Sequence, residues 1–163
     1  MATVKLTFVA LSMMLALASC GSASRERVSA AVSGVVDAGG LGLEALDPQP
    51  LSPGACGMFL WARAAGEPVF VFAAFSQPPG ARVKVRGRER RLARTAAQGA
   101  AASGHFERQT FADGSLALTV DVTFDTSRRV VDGSAIERGV IRIEDSEGWE
   151  TIIPVGGLVA CEN

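Results

Sequence analysis

The densest chemistry in the chain is cationic. Arg82, Lys84, Arg86, Arg88, Arg90, Arg91 and Arg94 fall within 13 residues and are opposed there only by Glu89, seven positive charges against one negative. Guanidinium forks match the oxygens of phosphates and carboxylates, so the chemistry on offer is anion binding. Val83 and Val85 alternate with Arg82, Lys84 and Arg86, the period of a strand, and Gly87 can turn the chain back. Such an amphipathic hairpin is expected to gather most of the cations on one side. The competing reading is a solvated hairpin whose charges answer the acidic remainder of the chain.

Other chemistry-bearing residues are sparse. His105 is the only histidine, and metal binding needs several converging ligands, so neither a metal nor another cofactor is expected. No GxSxG elbow accompanies it, and its place at a strand start predicts a solvated or capping histidine. Glu144, Asp145, Glu147 and Glu150 cluster about one turn without the spacing of a calcium loop, which reads as a solvated turn. Gly40-Leu41-Gly42 lacks the third glycine and the lysine of nucleotide loops and reads as a flexible joint. Trp61 and Trp149 are expected to pack in a core, with stacking on sugar rings as the alternative. No nucleophile, base and orienting group can be named together, so the chain is not expected to be an enzyme.

These residues need elements to position them, and the first elements are at the N-terminus. Lys5 precedes Leu6 to Leu17, a run of 12 residues without charge, followed by small Ala18 and Ser19. That is the anatomy of a signal peptide, and it is too short for a membrane span. Leu17-Ala18-Ser19-Cys20 resembles the lipobox of bacterial lipoproteins. The resemblance implies that residues 1–19 are removed and that Cys20 carries lipid, which anchors the chain to a membrane of the cell envelope. Gly21 in place of an Asp implies the outer membrane, facing the periplasm. The alternative is an ordinary signal cut near the same place, leaving Cys20 a thiol. With Cys20 lipidated, Cys56 and Cys161 are left in an oxidising compartment and are expected to form a disulfide tying the first strand to the last.

Residues 20–55 read as a tether, a helix and a loop. Val28, Ala31, Val32, Val35 and Val36 have helical spacing, which predicts a helix from about Arg25 to Ala38, capped by Ser24 and ended by Gly39-Gly40. It is expected to pack on the domain behind it, or else to lie in the lipid interface. Leu41 to Ala55 carries Pro48, Pro50 and Pro53 and reads as a loop with a short helical turn near Leu43 to Leu46.

Residues 56–163 read as a β domain. Short runs rich in Val, Ile and Phe alternate with Gly, Pro and Asp turns. Candidate strands are Met58 to Ala64, Val69 to Phe75, Ala81 to Arg86, Arg88 to Arg94, His105 to Phe111, Leu116 to Phe124, Glu137 to Glu144, Trp149 to Val155 and Leu158 to Cys161. Leu116 to Phe124 alternates apolar with polar residues, so one of its faces is wet; Val69 to Phe72 is apolar on both faces and must be covered twice. Ala96 to Gly104 is low in complexity and reads as a loop. The expected fold is mainly β, a small antiparallel barrel or sandwich of about eight short strands with one N-terminal helix.

The net charge of −1 gives no general basic field, so nucleic acid is not an expected partner. The expectation is a lipid-anchored, non-enzymatic envelope module whose basic hairpin engages an anionic lipid, a glycan or an envelope protein. An inhibitor of a host or rival hydrolase such as lysozyme is the alternative, by architecture alone.

Overall fold

Alternating apolar and polar residues write eight antiparallel strands into the chain, and their ladders close on themselves. They are β1 (Cys56–Ala64), β2 (Glu67–Ser76), β3 (Pro79–Val85), β4 (Arg88–Ala102), β5 (His105–Ala112), β6 (Leu116–Val130), β7 (Gly133–Asp145) and β8 (Glu150–Cys161). The structure is a computed structural model that describes residues 41–162, the side chains of Thr126, Arg128, Arg129 and Asp145 excepted. The expected signal segment, Cys20 and the helix expected over Arg25 to Ala38 lie outside the described residues.

Each strand pairs with its neighbour in sequence, and β8 returns to pair with β1, so the sheet is a closed barrel rather than a sandwich. Closure leaves no unpaired sheet edge. Cys56 and Cys161 face each other across this last ladder and are joined by a disulfide, which ties β1 to β8 at the point of closure. The turns after β1, β3, β5 and β7 all lie at one end of such a meander, called here the mouth. Cys56, Cys161 and the remaining turns lie at the other end, the base.

The alternation sorts side chains. Leu60, Val71, Val83, Phe111, Leu118, Ile141, Ile143, Ile153 and Val159 are fully buried inside the barrel. Phe72 and Phe111 meet edge-on there, with ring centroids 5.6 Å apart. On the outside, Trp61 stacks obliquely on Phe70 at 5.1 Å. Where β8 pairs with β1, Gly157 lets the two backbones close, since a Cβ on it would sit 2.0 Å from the Phe59 carbonyl oxygen.

Four expectations are corrected. The two strands expected over Trp149 to Val155 and Leu158 to Cys161 are one strand that starts at Glu150, because pairing with β1 runs on through Gly156 and Gly157. Ala96 to Ala102 is not a loop: it extends β4 through Gln98↔Arg108 and Ala101↔Phe106, with two irregularities that absorb its poor strand propensity. Trp149 is not in the core but in the β7–β8 turn region, 67% exposed, and Trp61 lies half-buried on the outer wall.

The fourth concerns the chain entering the domain. Residues 43–46 form no helical turn. The β2–β3 ladder stops at Phe72↔Val83, and beyond it the Lys84 carbonyl accepts from the Glu44 amide (2.9 Å) and the Phe70 carbonyl from the Leu46 amide (2.8 Å). The segment is thus an extended strap wedged where β2 and β3 part, with Leu41 and Leu43 buried in the core. Its bond to Phe70 falls within the doubly apolar stretch of β2.

Candidate functional site

The register of one hairpin decides where the cations go. β3 and β4 are joined by Arg86-Gly87, both with positive φ (51° and 74°), a two-residue turn whose twist suits a hairpin. Two turn residues place Val85 opposite Arg88 and Val83 opposite Arg90, so Arg88 and Arg90 share the inward face of the valines. Arg82 pairs with Arg91, and Lys84 with Glu89, on the outward face. Arg94 continues the inward row further down, opposite Phe111. The expected single cationic face is therefore divided three ways.

At the mouth, Arg86, Arg88 and Arg90 line a cleft of 460 Å³ with Leu41, Ser115, Ser146 and Glu147. Arg90 is fixed there: its Nε donates to Asp113 Oδ2 at 2.8 Å, its second nitrogen to the same oxygen, and that nitrogen also to Ser115 Oγ at 2.6 Å. Asp113 itself caps the β5–β6 turn, its Oδ1 accepting from the amides of Ser115 and Leu116, each at 3.1 Å. Burial pushes the Asp113 carboxyl up, but those amides and Arg90 outweigh it and hold the carboxyl below its ordinary range. Arg86 and Arg88 are exposed and have no carboxylate at ion-pair distance among the described residues. The cleft therefore offers two uncommitted guanidinium groups beside a third held rigid, with hydroxyls alongside. That donor set suits an oxyanion.

On the outer wall near the base lies a second recess, of 390 Å³, between β2, β3, β4 and the Pro-rich loop, with Arg82 and Arg91 at its edge. Arg82 donates to Gln49 Oε1 at 2.7 Å, lies 3.6 Å from Glu89 and packs 5.4 Å over the Phe75 ring.

Arg94 belongs to the base. It donates to the Gly104 carbonyl (2.9 Å) and to Gln109 Oε1 (3.1 Å), and it packs over Phe106. Beside it His105 is buried, not solvated or capping, with Nε2 3.3 Å from the Cys56 carbonyl oxygen. Burial drives its pKa from 6.5 to about 4; the Cys56 hydrogen bond opposes this and Arg94 reinforces it. A neutral ring donating through Nε2 fits that contact. His105 Nδ1 and Gln109 Nε2 have no partner among the described residues.

Among the described residues no three His, Cys, Asp or Glu side chains converge as metal ligands. Glu144, Glu147 and Glu150 are exposed, and Glu150 lies 3.8 Å from Arg142. Asp113-Gly114 is legible in the sequence as a hairpin turn, but Asp113, Ser115 and Ser146 are not legible there as site residues, because the ladder that brings the β5–β6 and β7–β8 turns beside the β3–β4 turn is non-local. No known family model, curated protein or solved structure matches the chain.

Proposed function

We propose that the chain is a lipid-anchored envelope protein whose barrel mouth binds anionic envelope material, without catalysis, through Arg86, Arg88 and Arg90. The observation that carries the binding half is the convergence of these three guanidinium groups, from one hairpin, on a single cleft with Ser115 and Ser146. Arg90 is pre-organised by Asp113, which lowers the ordering cost of engaging a ligand. Arg86 is presented by a turn whose left-handed backbone fixes its direction. The half that concerns anchorage rests on Leu17-Ala18-Ser19-Cys20 after an apolar run.

Two measurements test the two halves separately. Intact mass spectrometry of protein extracted from cell envelopes should give residues 20–163 plus acyl chains; an unmodified mass would remove the anchor. Titration of the lipid-free Cys20→Ser protein with inorganic pyrophosphate, and with phosphatidylcholine vesicles with or without phosphatidylglycerol, tests the mouth. Binding should weaken as salt rises and fall about tenfold in Arg86→Ala and in Arg88→Ala, with the exposed Arg138→Ala as control. Equal affinity in all three variants would place the anion elsewhere or nowhere.

A further inference from the structure

Arg82 and Arg91 stand directly opposite each other on adjacent strands, both facing outward. Like charges so placed repel and cost stability unless something answers them. Arg82 is answered by Gln49, Glu89 and the Phe75 ring. Arg91 is exposed and has no carboxylate at ion-pair distance among the described residues, so one positive charge of the pair is left over. It lies at the edge of the 390 Å³ recess, whose walls beside it are Pro50, Phe75, Pro78 and Pro79. Proline and phenylalanine walls are stiff and apolar, and they gain little from a bare inorganic anion.

We propose that this recess is a second binding site, for an amphiphilic carboxylate whose head lies between Arg82 and Arg91 and whose apolar body covers Phe75 and the three prolines. The charge of the head relieves the cross-strand repulsion, and the body removes apolar surface from water. Size agrees, since pockets for small organic ligands begin near 300 Å³. The site is independent of the mouth, because Arg82 and Arg91 have the opposite strand parity to Arg88 and Arg90.

The test uses dodecanoate below its micellar concentration, with dodecanol as the uncharged partner, on the Cys20→Ser protein. Calorimetric titration should show dodecanoate binding about tenfold more tightly than dodecanol, and Arg91→Ala should remove about that factor. Arg91→Lys keeps the charge but loses the fork, so it should recover part of the affinity, while Arg138→Ala should behave as the parent. Backbone amide shifts should move at Ala81, Arg82, Leu92 and Ala93. The proposal is overturned if dodecanol binds as well as dodecanoate, if Arg91→Ala leaves the affinity unchanged, or if the shifts gather instead at Arg88 and Ser115, which would assign dodecanoate to the mouth.

Discussion

His105 carries a charge state that folding forbids. In the unfolded chain its imidazole takes up a proton near 6.5, but in the barrel only near 4. Between those values the unfolded state binds more protons, so stability falls as pH falls through that window and levels off below about 4. The shift corresponds to a loss on the order of 3 kcal/mol. Asp113, whose carboxyl is held below its ordinary range, adds a loss of the same sign at lower pH. His105→Gln keeps a donor for the Cys56 carbonyl and does not titrate. Its urea midpoint should therefore change much less than the parent's between pH 7 and pH 4.5, and parallel curves would show that His105 is not the cause. None of this was legible from a histidine at a strand start, because what buries it is the strand-closing base of the barrel. The division of the arginines was closer to hand. A two-residue turn at Arg86-Gly87 fixes the parity of β4, and that parity alone sends Arg88 and Arg90 to the side of Val83 and Val85.

At the scale of elements, the sequence pattern worked best where side chains alternate and worst where they are small. Leu116 to Phe124 is the mouth-side part of strand β6, with Leu118 and Val120 fully buried. The alanines from Ala96 to Ala102 have no such signature, and only the partner strand β5 draws them into the sheet. The pairing of β8 with β1 is sensitive to a single substitution. Gly157→Ala would drive a methyl into the Phe59 carbonyl, so it should destabilise by more than about 2 kcal/mol. Gly148→Ala, in a turn with φ of 82° and open space around it, should cost about 1 kcal/mol. Chemical denaturation of both variants gives the comparison; equal costs would mean that β8 can shift away from β1 without penalty.

For the molecule as a whole, the two cysteines at 56 and 161 are the feature that sequence placed correctly, and closure of the barrel explains why they meet. They bridge 105 residues of separation, so reduction should lower stability by about 2 to 5 kcal/mol. Thermal unfolding with and without reductant, set beside the Cys56→Ser, Cys161→Ser double variant, measures it; coincident curves would mean that the β1–β8 ladder suffices alone. The same bond gives the barrel a mechanical character. Within the described residues, tension applied along the chain from the N-terminal side reaches Leu41 first. It must peel the Glu44 and Leu46 amides from Lys84 and Phe70 before it bears on Cys56. From there the load passes through sulfur to Cys161, bypassing every strand between. Stretched in an oxidising medium, the domain should yield only the strap and its loop, about 50 Å of contour at full extension, and then stop. Reduced, the whole meander becomes extensible, so the disulfide acts as a strain limiter as well as a clasp.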